Sequence, residues 1–435
     1  MADPARRFAV LAYTSAAAER IESLDVLRGV ALLGILLLNI VGFGLPEAAY
    51  FNPEIGAGPT ALSRSVNLTV WAVVDLLFEG AMRALFSLLF GAGVVLFTTG
   101  LAAKPAATHY RRNFWLLVFG LFDAFVLLWT GDVLLTYALV GFCLYPLRHV
   151  SAARLATFAV GLLLLLTAFN AVLGVSLASM RAAAVAVTEP SAPATAEQRE
   201  LAAGWLEFAA DYQPDDATLA AEIAERAASY GSAYAFSVST MEEVLLFQLP
   251  LIMFWDALAL MVLGMALYKW GVLDASRSQA FYGGLMACGF GSGLAINVWE
   301  LKAAVATDFD LLATHGYLRW SYHLGRCGMA LGYIGLVMLI CRLRLLPVLR
   351  RRLAAVGRMA LSNYLIHSLL GLLLFTGAGL GLVGMLERWQ LYPLVGAIWV
   401  LQLSYSAWWL TRFRYGPAEW LWRGLSYGRW PELRR

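Results

Sequence analysis

A charge inside an apolar, membrane-length run is costly unless it pairs or faces water, so such residues are where this chain can do chemistry. Asp25 and Arg28 open the run SLDVLRGVALLGILLLNIVGFGL three residues apart, which places them on one face of a helix, with Asn39 behind them. Asp75, Glu79 and Arg83 lie along the next apolar segment. Asp123 lies in FGLFDAFVLLW and Asp132 in the turn WTGD that follows. In the second half, Asp256 lies in MFWDALALMVLGM, and His367 in LSNYLIHSLLG with Asn363, Tyr364 and Ser368 around it. A histidine with a near-neutral pKa suits removal of a proton from an acceptor hydroxyl, and a carboxylate without a same-helix cation, such as Asp123, is a second acid or base. Structural roles account for the same residues. Asp25 and Arg28 cap and anchor a helix, Glu79 and Arg83 form a self-neutralising i,i+4 pair, and His367 bonds to a neighbouring helix.

Positioning these residues is a task for membrane helices. Of the 435 residues, 60% are hydrophobic and 14% charged, and the mean hydropathy is +0.69. A soluble domain carries about a quarter charged residues. Separated apolar runs of about 20 residues predict an all-α, polytopic helical membrane protein of about ten transmembrane helices, in contact with membrane lipids. Lys104, Arg111 and Arg112, then Arg148 and Arg154, Arg342 to Arg358 and the six Arg from Arg412 onward fall in alternate loops. Placing every basic cluster inside makes both termini cytoplasmic in a bacterial inner membrane. To satisfy that rule, residues 66–97 are read as one crossing broken near Gly80. Residues 21–178 then form an N-terminal bundle and 179–243 an extracytoplasmic loop. Residues 244–411 form a C-terminal bundle, and 412–435 a basic cytoplasmic tail. The stretch from Arg181 to Glu243 carries 11 Asp and Glu against three Arg, and its composition predicts two short helices around QPDDA.

The dispersed basic residues form no nucleic-acid surface. Cys143, Cys288, Cys327 and Cys341 lack a CxxC spacing, so no metal is expected. Gly-rich pieces such as FGAGVVLFTTG lack a following Lys-Ser/Thr and read as close helix packing.

SLDVLRGVALLGILLLNIVGFGLPEAAYFNP, LFSLLFGAG, GDVLLTYALVG, VGRMALSNYLIHS and FRYGPAEWLWRGLSYG resemble the YeiB family of bacterial inner-membrane proteins across nearly the whole chain. The LDVLRG opening and the NYLIH string are also similar to the wider group of transmembrane acyltransferases. That resemblance implies transfer of an acyl group, acetyl above all, from cytoplasmic acyl-CoA to an envelope carbohydrate or lipid-linked acceptor. His367 or Asp123 would be the base, and Arg28 and Arg83 would position the donor pyrophosphate or a charged acceptor. Asp123 and His367 depart from the family's pattern, which commonly places His in the third span and Gln in the NYLLQ string. A proton-coupled transporter using Asp75, Glu79, Asp123 and Asp256, and a lipid-binding protein without catalysis, fit the same embedded charges.

Overall fold

The computed structural model describes residues 4–99, 104–188 and 194–435. Among them the regular structure is helical, apart from one isolated bridge between Phe413 and Arg434. Helix α1 (Pro4–Gly44) carries the membrane-length stretch Glu22–Gly44 and stops before Pro46, which has no N–H to donate. α2 (Ala61–Phe78) and α3 (Ala81–Thr98) follow each other across a short break and together make one stretch long and apolar enough to cross a membrane. Gly80 forms the break at φ +64°, a conformation that favours a residue without Cβ. α4 (Ala106–Phe125) and α5 (Leu134–Leu144) flank the WTGD turn, and α6 (Ala152–Thr188) follows.

α7 (Ala196–Tyr212) and α8 (Asp216–Ala228) lie on either side of Gln213 to Asp215, each opened by a side-chain cap, from Thr195 and Asp215. α9 (Tyr230–Glu243) continues through a wide-turned stretch, Val244–Met253, that accommodates Pro250, and enters α10 (Phe254–Lys269). α11 (Gln279–Ala306) and α12 (Tyr322–Arg342) pair closely. α13 (Pro347–Arg358) meets α14 (Ala360–Phe375) at a 78° bend, and α15 (Arg388–Arg412) and α16 (Pro417–Tyr427) complete the chain.

Six of these elements are long and apolar enough to cross a membrane, seven with the bent α13–α14 pair. The expected ten is not reached by that measure. α5 has only 11 residues, and α4 and α15 carry Arg and other polar residues at their ends. The apolar run 359–385 is long enough for a full span, but its helix ends at Phe375. Its glycine-rich remainder folds back, and Gly384 N–H donates to Gly44 O at 2.9 Å.

The halves interleave: α3 packs on α10, and α1 on α13, α14 and α15. At the α1–α13 crossing a Cβ on Gly357 would fall 1.9 Å from Asp25 O, so the two backbones touch. The loop helices are also tied to the bundle. The buried Arg226 of α8 donates to Gly42 O, Phe43 O and Leu45 O at 2.8, 3.0 and 2.9 Å, satisfying carbonyls that α1 leaves open at its end. Arg226→Ala is expected to cost about 2–3 kcal/mol, read as a lower unfolding midpoint in detergent, with Arg226→Lys recovering part of the loss.

Beside it, Glu47 N–H donates to Glu222 Oε1 at 2.9 Å, and Glu47 accepts from Thr240 Oγ1 at 3.2 Å. Burial, with Glu222 adding to it, pushes the Glu47 carboxyl from 4.5 to about 7. Folding therefore takes up a proton between those values. This contribution to stability is complete below 4.5 and is lost as pH rises through about 7. The unfolding midpoint is expected to fall across that window, and Glu47→Gln to flatten the fall. An unchanged slope in the variant would assign the pH dependence elsewhere.

Candidate functional site

Gly34 lies 12 residues from Glu22 and 10 from Gly44, about 15–18 Å from either end of the first span at 1.5 Å per residue. Met82 packs against Gly34, where a Cβ would come 2.3 Å from its Sδ. Arg83, the next residue, therefore sits near mid-span depth, in the first turn of α3 just after the Gly80 break. Asp256 lies at the start of α10, inside the continuous helix that runs on from α9, and Arg326 projects from the second turn of α12.

These three helices bring the charges together. Arg326 grips Asp256 with both ends of its guanidinium, the Nη1 to Oδ2 bond being 2.9 Å, and donates to His323 Nδ1 at 2.6 Å. Arg83 Nη2 stands 3.9 Å from Asp256 Oδ2 and donates to Tyr322 OH at 3.0 Å. Tyr322 OH in turn donates to Glu79 Oε1 at 3.4 Å. The two arginines differ in access: the Arg326 side chain is 1% exposed and that of Arg83 38%. Asp256–Arg326 is thus an enclosed pair, whereas Arg83 borders open space. Glu79 is half-buried beside it and interacts with Tyr50 from the loop after α1. Asp75 and Glu300 lie next along the same side.

The other sequence candidates fall into separate networks. Asp123 Oδ2 accepts from Ser368 Oγ at 3.1 Å, and Asp132 accepts from Tyr364 OH at 3.3 Å and from the N–H groups of Leu134 and Leu135. Asp123 is fully buried with the Asp132 carboxyl beside it, and among the described residues no donor reaches its Oδ1. His367 Nε2 pairs with Gln402 Oε1 at 3.0 Å, Gln402 donates to Asn363 O, and Asn363 donates to Ser406 Oγ. His367 is 2% exposed and its Nδ1 is unpartnered. Asp25 and Arg28 pair at 2.8 Å midway along α1, at the start of its membrane-length stretch and so at the opposite end of that stretch from Arg226. Asn39 is half-buried on α1, outside these hydrogen-bond networks.

Tyr322, His323 and Arg326 are absent from the sequence candidates, although YHLGR within an apolar run carries the signal in plain form. Glu419 had no such signal. It reaches from α16 to cap α14, accepting from the N–H groups of Leu361 and Ser362 at 2.7 and 3.0 Å. Among the described residues, no three His, Cys, Asp or Glu side chains are placed to hold a metal ion.

Membrane-length helices around an ionic cluster at mid-span depth define a polytopic helical membrane protein. Residues 267–429 match the family described as "Protein of unknown function (DUF418)". The chain is 30% identical over 412 residues to the uncharacterized protein YeiB of Escherichia coli K12, covering 94% of this chain and 96% of that one. It is 28% identical over 429 residues to the uncharacterized protein YxaH of Bacillus subtilis 168, covering 95% and 96%. No solved structure matches. The chain belongs to the YeiB family.

Proposed function

We propose that this protein is an acyltransferase of the bacterial inner membrane, moving an acyl group from cytoplasmic acyl-CoA to a hydroxyl or amine of an envelope carbohydrate or lipid-linked acceptor. In this reading α4, α5 and α15 bring the crossings to ten, with both termini in the cytoplasm. The observation that carries it is the open side of the mid-span cluster, where a half-buried carboxylate, Glu79, and an accessible guanidinium, Arg83, are joined through Tyr322. The acceptor gives its proton to Glu79 as its oxygen or nitrogen attacks the thioester carbonyl, and Arg83 holds the developing oxyanion. Collapse breaks the C–S bond, and the thiolate leaves to be protonated. Asp256 and Arg326 hold Arg83 in place, while Asp25 and Arg28 sit at the donor's entrance. Glu79 takes the role of base in preference to His367, which is closed in by Gln402.

Transfer of labelled acetyl from acetyl-CoA to an envelope extract, catalysed by protein in proteoliposomes and lost in Glu79→Gln, is the test. The mid-span depth also favours a second reading, proton-coupled transport through Glu79 and Asp75. Solute uptake driven by a pH gradient, with no acyl transfer, would select that reading.

A further inference from the structure

The tail is a built part of the molecule. After α16, Gly428 turns the chain in the left-handed region, Trp430 packs on Trp420 with centroids 4.8 Å apart and the rings tilted by 34°, and Arg434 bridges back to Phe413. Glu419 and Trp422 fasten α16 to α14 and α4, the latter through Trp422 Nε1 donating to Arg112 O at 2.9 Å. Between this tail and Lys104 lies a cavity of about 460 Å³. Lys104, Arg423 and Arg429 line it with Tyr415, Tyr427 and Trp430, and no carboxylate is among its lining residues.

Three cations facing one concavity repel each other unless an anion joins them, and Arg423 lies over the Tyr415 ring at 4.7 Å, which holds it at the pocket wall. The basic surface continues inward. Arg112, stacked between Phe97 at 4.3 Å and Trp422 at 4.1 Å, hydrogen-bonds with Tyr427 and has Arg423 and Arg28 as like-charged neighbours.

We infer that the tail pocket binds the phosphate-bearing nucleotide end of the acyl-CoA donor, through Lys104, Arg423 and Arg429. This rests on the acyltransferase reading for the donor's identity, but the pocket's chemistry suits phosphate groups from either a nucleotide or an anionic lipid headgroup.

The experiment uses the full chain in nanodiscs of neutral phosphatidylcholine, with binding of coenzyme A, adenosine 3′,5′-bisphosphate and pantetheine measured by titration and repeated with phosphatidylglycerol in the disc. Coenzyme A and the bisphosphate are expected to bind, pantetheine at least tenfold more weakly. Arg423→Gln with Arg429→Gln is expected to weaken both nucleotide ligands about 10–100-fold. Lys104→Gln, which lies outside the tail's own packing, should weaken them about tenfold and guards against a tail that has merely come loose. Nucleotide affinity unchanged in all variants overturns the inference. So does a pocket that responds only to phosphatidylglycerol, which would make it a lipid headgroup site. Nucleotide binding here without any acyl transfer keeps the pocket and removes the acyltransferase reading, and acyl transfer indifferent to the tail variants does the reverse.

Discussion

Glu79→Gln is expected to lower acyl transfer about 10²–10⁴-fold while leaving coenzyme A affinity unchanged. The substitution isolates the base. A glutamine oxygen still accepts from Tyr322 OH, so the Arg83–Tyr322 arrangement is retained and only the capacity to take a proton is removed. Glu79 is suited to the role because it flanks the Gly80 break, where the interruption between α2 and α3 leaves its side chain beside Tyr50 and Tyr322 instead of against a continuous helix. His367→Ala serves as the comparison. Its ring bonds Gln402 within a closed α14–α15 contact, so its loss should reduce stability more than turnover per folded molecule. Full turnover in Glu79→Gln, with loss in His367→Ala, would return the base to α14.

The second large effect concerns Asp256. Removing one member of a buried ion pair leaves an uncompensated charge and costs about 3–5 kcal/mol, whereas replacing both with apolar residues is often nearly neutral. The two single substitutions should differ in severity here. Without Arg326, Asp256 still has Arg83 at 3.9 Å, a side chain with room to swing closer. Without Asp256, Arg326 is left enclosed at 1% exposure, with Arg83 near and only the uncharged rings of His323 and Tyr322 against its guanidinium among the described residues. Asp256→Leu is therefore expected to lower the unfolding midpoint in detergent more than Arg326→Met, and the double variant to recover much of the loss. Equal stability of Asp256→Leu and the parent would show that the pair contributes nothing to the bundle.

Much of the architecture is legible along the chain because it is decided locally. A backbone without water must satisfy its own hydrogen bonds, so the long apolar runs of this sequence become helix, the glycine-rich end of 359–385 excepted. Gly80 amid Asp75, Glu79 and Arg83 marks the break in the second span, Asp25 and Arg28 pair one turn apart, and QPDDA separates two capped helices, all within a few residues. Asp256 stands out in the same way as a carboxylate inside an apolar run, and Arg326, not among those candidates, is a cation inside another. That the two pair was not legible.

Only the tertiary structure decided which embedded groups share a site. Tyr322 and Glu79 are 243 positions apart, and Arg326 and Asp256 are 70 apart. On α14, His367 and Ser368 are adjacent in sequence yet turn to different helices, His367 to Gln402 and Ser368 to Asp123. Successive residues point about 100° apart around a helix, so adjacency along the chain does not predict a common pocket. The same holds for Arg226 at the end of α1 and Glu419 at the start of α14. A buried helix end must find partners, and which distant side chain supplies them depends on how the whole bundle packs.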